Sequence, residues 1–403
     1  MDIVTGRKSV NGTARVNTKG LNDKLEFSLA LTNTFDDKGY ASYGGIAQSL
    51  NMNPTYPVRN SDGTFFENPD VPYLLQWNPV ANMHTNTGAD KQKRFLGTTS
   101  ASYRILPELK ATANYSLIKN ENLYSSYSAN DDFFQQQYQI GGQASRSQSN
   151  FTSNIFEGMF TYTKQFGKHN LDVLAGYSYQ NDFNDGFSAG NNGFNTNAFL
   201  YYNLSAGSAL SNLDPSSNRS GVFVGSEAYE RTLLAFYGRV LYNFDEKYLL
   251  NASLRREGAS VLGKANKWDN FPSVSAGWVI SKENFLQDNA TIKTLKLRGG
   301  YGVTGNQQSL VPYRSLPILS AYQGQQGYFG DGETGQWIVP YGPNNNANPD
   351  LRWETKKEIN IGIDFALFKN GWLNGSLDFY NRRIHDLINN YPAQLPSQVL
   401  PYI

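Results

Sequence analysis

The amino-acid sequence predicts an all-β protein, a transmembrane antiparallel β-barrel, from three observations. Apolar and polar residues alternate in many short segments, short connections take turns with long ones, and aromatic residues are frequent. Aromatic residues make up 14% and charged residues 17% of the 403 residues, and the mean hydropathy is −0.52. Helical membrane spans need roughly 20 apolar residues in a row, and the sequence has no such run. A barrel tolerates a polar average, because only every second strand residue faces lipid.

The clearest alternation lies between residues 358 and 367. Its apolar positions are Ile359, Ile361, Ile363, Phe365 and Leu367, which we expect to point outward, with Asn360, Gly362 and Asp364 pointing inward. About twelve such strands are predicted, at 9–19, 23–34, 93–105, 109–119, 151–165, 169–180, 229–244, 247–257, 271–281, 294–304, 353–367 and 372–383. Amphipathic strands are also typical of a soluble sandwich, so the alternation alone leaves both architectures open.

The connections favour the membrane barrel. Short turns are predicted near 19–23, 106–108, 166–168, 245–246 and 368–371, and long polar segments near 36–92, 120–150, 181–228 and 305–352. Loops above about 15 residues are uncommon in compact soluble domains, whereas membrane barrels combine short periplasmic turns with long extracellular loops. The connections at 258–270 and 282–293 fit this pattern less well. A predicted aromatic girdle near the short turns contains Tyr103, Tyr162, Phe244, Tyr248, Trp278, Phe365 and Trp372.

Charge and motifs exclude several function classes. A formal net charge of +1 gives no basic surface for nucleic acid, and the absence of cysteine excludes a disulfide framework and a thiolate metal site. We predict no catalytic site, metal or cofactor, and interpret the carboxylates of Asp36, Asp37, Asp131 and Asp132 as solvated loop charges.

One dinucleotide-binding motif is interpreted as accidental. The segment GYGVTG, residues 300–305, matches GxGxxG, but that motif needs a helix directly after it. The following NQQSLVPYRSLP has two prolines and no helical period. We expect a strand whose glycines lie at a bend or beside a packed neighbour.

Two groups of residues are candidates for contact with a solute. Aromatic rings in the long loops can stack on a sugar or a peptide, although such rings more often pack loops against one another. These rings belong to Tyr73, Trp77, Trp337 and Tyr341. The predicted lumen-lining residues are Asn251, Ser253, Arg255, Asn374, Ser376 and Asp378.

Several segments in fixed order resemble SusC/RagA-type TonB-dependent transporters of the outer membrane. The most similar is residues 229–286, where a Tyr-Asn-Phe turn is followed by KYLL, a paired-arginine strand and FPSVSAGW. LKLRGGYGVTGNQ at 295–307 and the hairpin at 348–388 resemble the next parts of the barrel. NPTYPV at 53–58, NPVA at 78–81 and the following RFLG strand resemble its long early loop.

The resemblance implies a 22-stranded barrel with an internal plug, energised through the TonB complex and capped by a SusD-like lipoprotein. It implies import of oligosaccharides or peptides, and no enzyme activity. We expect residues 1–403 to be an internal fragment of one barrel domain, without signal peptide, plug and C-terminal strands. A passive porin or adhesin-like barrel, and a soluble all-β hydrolase, are the alternatives.

Overall fold

The fold is dominated by one twelve-stranded sheet. The structure, a computed structural model, describes residues 6–40, 44–67, 77–211, 221–286, 289–307, 310–321, 327–329, 335–368 and 371–389. The strands of the large sheet are β1 (Gly6–Gly20), β2 (Leu25–Tyr40), β3 (Asn86–Leu106), β4 (Leu109–Ser128), β5 (Gly142–Phe166), β6 (His169–Phe194), β7 (Phe223–Phe244), β8 (Tyr248–Ala259), β9 (Trp268–Val279), β10 (Ile292–Asn306), β15 (Glu354–Leu367) and β16 (Leu373–His385). The predicted all-β fold and its twelve strands are confirmed.

Smaller elements belong to the long connections. Four short strands form two separate two-stranded sheets between β10 and β15, in which β11 pairs with β14 and β12 with β13. Their ranges are β11 (Leu319–Ala321), β12 (Gly327–Phe329), β13 (Gln336–Ile338) and β14 (Tyr341–Pro343). The α-helices are α1 (Gly44–Asn51), α2 (Pro79–Thr85) and α3 (Phe133–Gln137), and 3-10 turns lie at Asn197–Phe199, Leu204–Ala206 and Ile280–Lys282. No helix among the described residues is long and apolar enough to cross a membrane.

The large sheet is an antiparallel meander that stays open. Each strand pairs with its neighbour in the chain, and β10 pairs with β15 across the longest connection. Among the described residues, the first strand, β1, pairs only with β2 and the last, β16, only with β15. These two strands are therefore the edges of the sheet. Unpaired backbone groups cannot remain in hydrocarbon, so closure in a membrane requires further strands.

The strands between β3 and β7 are longer than predicted. β5 has 25 residues and β6 has 26, and both continue into segments predicted as long loops. The prediction ended each strand where apolar alternation ended, but backbone pairing does not require an apolar face. In these extensions, polar side chains on neighbouring strands lie opposite each other. The hydroxyls of Ser126 and Ser145, for example, are 2.7 Å apart.

The short turns have the backbone that tight hairpins require. Asp245 and Glu246 both have φ of +52°, and the Lys247 backbone N–H donates to the Phe244 carbonyl at 2.9 Å. Positive φ at both central residues is the signature of a type I′ hairpin, whose twist matches that of the flanking strands. The predicted turn at 245–246 is confirmed.

Two small apolar clusters lie at the other, long-loop end of the sheet. One joins the β8–β9 connection to the segment before β15 and contains Ala259, Val261, Leu262, Phe271, Leu310 and Trp353. The second contains Tyr127, Ala129, Ala144 and Phe194. The glycine motif runs into the first cluster, because a Cβ at Gly305 would collide with the Phe271 ring. Residues 300–305 are therefore strand, as predicted, with a glycine beside a packed neighbour.

Two of the four carboxylates predicted to be solvated are buried. Asp36 is 8% exposed and accepts two hydrogen bonds from the Arg7 guanidinium, at 2.7 and 2.6 Å. Asp132 is 2% exposed, caps α3 and accepts from Thr85 Oγ1 at 2.7 Å. The prediction was wrong for this pair because strand pairing and the capped helix supply partners that are distant in sequence.

Candidate functional site: a sheet with an apolar and a polar face

The register of the sheet divides its side chains into two faces. Ile361 lies opposite Gly299, and the same row continues through Ala276 to Leu250. One position away, Asn360 lies opposite Gly300, and that row continues through Ser275 to Asn251. Successive strand residues point to opposite faces. Apolar residues and polar residues therefore form separate stripes across four or more strands.

The apolar face is exposed along its length. Ile359 and Ile361 are 49% and 51% exposed, although aliphatic side chains of a soluble domain would be buried against a second layer. The polar face is concave, since Asn360 lines a cavity that extends from β5 to β15. The predicted division of β15, with its isoleucines outward and Asn360 inward, is confirmed.

Strand β9 shows the dimensions of the apolar face. Its residues alternate between exposed and less exposed along most of the strand, and the outward positions begin with Trp268 and end with Trp278. Ten residues separate the two indoles, which at about 3.3 Å per residue and a tilt of about 40° corresponds to about 25 Å across a bilayer. That distance is about the height of the apolar band of outer-membrane barrels.

Aromatic rings form a continuous row at the short-turn end of this face. Centroids are 4.9 Å apart for Phe166 and His169, 4.8 Å for His169 and Phe244, 6.2 Å for Phe244 and Tyr248, and 6.5 Å for Tyr248 and Trp278. Register explains the row, because the five residues are direct cross-strand partners or close a hairpin. Phe244, Tyr248 and Trp278 of the predicted girdle lie in it, and the prediction missed Phe166 and His169.

Glu283 holds the end of the aromatic row in place. Its Oε1 accepts hydrogen bonds from Trp278 Nε1 at 3.0 Å and from the Tyr248 hydroxyl at 2.7 Å, and its Oε2 lies 3.3 Å from Lys247 Nζ. The hydrogen bonds from Trp278 and Tyr248 lower the pKa of Glu283 below its ordinary value. A charged carboxylate therefore fixes two amphipathic rings at the boundary of the apolar face.

The concave face contains a cavity near the short-turn end, with polar and apolar residues in its lining. Its volume is about 630 Å³, and Asn251, Ser275, Lys296 and Arg298 are among the residues that line it. The side-chain Oδ1 atom of Asn251 is buried and has no hydrogen-bond partner among the described residues. The cavity therefore presents both cationic groups and a free amide acceptor.

A three-strand ion cluster lies beside this cavity. Arg298 on β10 donates to Asp364 on β15 at 3.1 Å and reaches Asp378 on β16 at 2.7 Å. Gly362 makes the crossing possible, because a Cβ at this position would lie 2.7 Å from both Arg298 Cζ and Asp378 Oδ1. The arginine was missed in the sequence, where only the Leu295-Lys296-Leu297-Arg298 alternation indicated that it points inward.

The predicted lumen-lining residues occupy the same face in two groups. One group consists of alternate residues of β8, namely Asn251, Ser253 and Arg255. The Arg255 guanidinium pairs with the Glu257 carboxylate at 2.5 Å. On β16, Asn374 donates to the Gly371 carbonyl at 3.1 Å, Ser376 lies opposite Asp364, and Asp378 binds Arg298. The two groups are separated by β9, β10 and β15, so they line one surface but do not form one contact site.

The structure describes the side chains of two of the four candidate loop aromatics, Trp77 and Tyr341. Trp77 packs edge-on against Phe134 at 6.0 Å, which matches the alternative of loop packing. Tyr341 begins β14 and is 73% exposed. Tyr73 lies outside the described residues, as does the side chain of Trp337, whose backbone belongs to β13.

Further ion pairs on the long strands were not predicted. Asp182 is 4% exposed and pairs with Arg231 at 2.7 Å, although 49 residues separate them. Their pairing depends on the register between β6 and β7. The sequence does not predict this register, because a long connection joins the two strands. Within the described ranges, no group of three or more histidine and acidic residues is arranged to hold a metal ion.

A wide antiparallel sheet with one exposed apolar face, a rim of aromatic rings and a concave polar face defines a class of protein, the membrane β-barrel. The chain belongs to the family described as TonB dependent receptor-like, beta-barrel, whose model matches residues 26–401. TonB-dependent receptor P3 of Formosa agariphila is 32% identical over 357 residues, covering 87% of this chain and 33% of the relative. TonB-dependent receptor SusC of Bacteroides thetaiotaomicron is 28% identical over 381 residues, covering 89% and 34%.

Solved structures show the same fold. The RagAB peptide importer in its open-open state superposes with a TM-score of 0.76 at 19% identity, covering 96% of this chain and 41% of that one. P. aeruginosa FpvA bound to pyoverdine gives a TM-score of 0.52 at 13% identity, covering 99% and 45%. The predicted SusC/RagA-type resemblance is confirmed, and the chain spans about a third of the length of the curated relatives it matches.

Proposed function

We propose that this chain is wall and outer loops of a TonB-dependent nutrient importer in the outer membrane, acting with the TonB complex and a SusD-like lipoprotein. The observation that carries the proposal is the two-faced sheet, whose outward Ile361 is 51% exposed while the opposite face is concave and polar. A bilayer supplies the apolar environment that the outward face lacks in water. Family membership supports coupling to TonB.

The polar face supports movement of a hydrated solute rather than chemistry on it. Asn251, Ser275 and Asn360 present amide and hydroxyl groups that can exchange hydrogen bonds with a passing solute. We propose an oligosaccharide or a peptide as the solute, because the relatives include SusC and the fold is shared with a peptide importer. The remaining strands, a plug and the lipoprotein lid belong to the same proposal.

Uptake by cells tests this function. The full-length protein that contains this chain is expressed in cells lacking their own importer, and entry of labelled oligosaccharides and peptides is measured with and without TonB. We expect saturable uptake of one solute class that is abolished when TonB is removed. TonB-independent uptake would identify a passive porin, no uptake of either class would favour an adhesin, and extraction without detergent would identify a soluble protein.

A further inference from the structure

A group of cations that form no ion pair with a described carboxylate lies at the long-loop edge of the apolar face. Lys357 and Arg383 are exposed and directly opposite each other on β15 and β16, and both point outward because each is two residues from an outward side chain of its own strand. Lys357 lies eight residues from Phe365, which corresponds to about 20 Å across a tilted sheet. The pair is therefore near the outer edge of the apolar band.

A third cation lies at the same edge. Arg256 on β8 is exposed, and its guanidinium carbon is 5.7 Å from the ring centroid of Trp268, the indole at the long-loop end of β9. Arg256 and Lys357 lie on β8 and β15, which are three strand spacings apart in the sheet, a sideways distance of about 14 Å. Arg256, Lys357 and Arg383 thus border the top of one apolar surface.

This face offers the three cations no carboxylate. The outward positions of β8, β9, β10, β15 and β16, strands that are described throughout, contain neither aspartate nor glutamate. None of the three cations forms an ion pair with a described carboxylate. Like charges directly opposite each other destabilise a sheet, so the Lys357–Arg383 pair requires a counter-ion from elsewhere.

The adjacent inward positions show the opposite arrangement. Lys356 and Arg382 lie one residue away on the same two strands, and both pair with Glu358, at 3.8 and 2.9 Å. On these two strands the inward cations therefore have a carboxylate partner, whereas the outward Lys357 and Arg383 form no ion pair with a described carboxylate. The contrast points to an anion in the surroundings of the barrel.

We infer that Lys357 and Arg383, with Arg256, bind phosphate groups of a phosphorylated glycolipid of the outer leaflet. Below the cations, Ile359 and Phe379 are 49% and 68% exposed and continue the same face. A molecule with phosphate beside acyl chains fits both parts, because arginine and lysine bind phosphate and the apolar band accepts the chains. The inference rests on the proposed membrane location.

The test compares outward and inward cations in the full-length protein. Binding of bisphosphorylated lipid A to detergent-solubilised protein is measured by native mass spectrometry, for K357Q/R383Q and for the matched inward variant K356Q/R382Q. We expect affinity to fall about tenfold or more in the outward variant and to stay within about twofold of the parent in the inward one. The conservative variant K357R/R383K should bind like the parent, and supplies the test if the glutamine variant does not fold.

Four results would overturn the inference. Equal losses in the outward and inward variants would indicate a general charge effect, and unchanged binding in the outward variant would remove these residues from the site. Competition by inorganic phosphate at the same concentration as lipid A would show that the lipid part is not recognised. Equal binding of dephosphorylated lipid A would show that the phosphate is not recognised. Insertion of the parent into phosphatidylcholine vesicles is measured separately, so a failure to insert would contradict the proposed function rather than this inference.

Discussion

Single residues decide how charges are distributed over the sheet. Gly362 leaves room for Arg298 to cross a strand and reach Asp378, and Glu283 fixes Trp278 and Tyr248 at the boundary of the apolar face. Neither role is visible in composition, because both depend on which residues become neighbours across strands.

Replacing Gly362 by alanine should break the Arg298 crossing. The added methyl would lie 2.7 Å from Arg298 Cζ, so the guanidinium must leave Asp378 or the strand must shift. We expect a loss of about 1 to 3 kcal/mol in the free energy of unfolding, measured by urea titration of the full-length protein in vesicles. Gly299→Ala is the control, because its nearest neighbour would lie at 3.8 Å. Equal effects of the two alanines would contradict the crossing.

Ionised Glu283 should contribute stability that acid removes. Because its pKa is lowered in the folded protein, the contribution is complete above the ordinary glutamate pKa, about 4.3, and is lost as the pH falls through the lowered value. We expect Glu283→Gln to lower the melting temperature at pH 7 and to lose less further stability than the parent between pH 5 and pH 3. Glu246→Gln, at a side chain that is 71% exposed, is the control. Parallel pH profiles for E283Q and the parent would contradict the assignment.

At the scale of the strand, alternation gives each element two environments. The outward residues of β9 lie between Trp268 and Trp278, and its inward residues include Ser273 and Ser275. Neighbouring strands keep this division because their register is continuous across the sheet. A strand therefore tolerates the same substitution very differently at adjacent positions.

Arginine substitutions at two adjacent positions of β9 test this difference. Val274 is 45% exposed on the outward face, four residues from the lower indole, and Ser273 points inward. We expect Val274→Arg to cost about 2 to 4 kcal/mol, as for a lipid-facing charge near the bilayer midplane, and Ser273→Arg to cost about 1 kcal/mol or less. Urea titration of the full-length protein in vesicles measures both, and equal costs would remove the lipid-facing assignment.

The sequence predicted the strands whose apolar residues alternate, and it failed where other rules apply. Residues 358–367 were predicted with their faces, because one face needs an apolar environment. The extensions of β5 and β6 were missed, because polar ladders carry no periodic signal. The Arg298 cluster and the Asp182–Arg231 pair were missed for a different reason, since each requires the register between strands that are distant in sequence.

At the scale of the whole molecule, the sheet has an inside and an outside but no closure of its own. In the described part of the chain, its edges β1 and β16 each have one partner, and its outward face is apolar over the height of a bilayer core. These features are complementary: further strands would satisfy the edges, and lipid would cover the face. A soluble sandwich would instead require a second layer over Ile359 and Ile361, which the described residues do not provide.

The proposed barrel wall has one face that meets lipid and one face that meets water. Residues 1–403 contain no cysteine, so single cysteines introduced at Ile361 and Asn360 can carry a fluorescent label in a full-length protein in which every cysteine outside these residues is replaced by serine. Quenching is measured in vesicles with a lipid-confined and a water-soluble quencher. We predict that the label at 361 is quenched from the lipid and the label at 360 from the water. Equal quenching of both labels by the water-soluble quencher, with none from the lipid, would contradict the barrel-wall account.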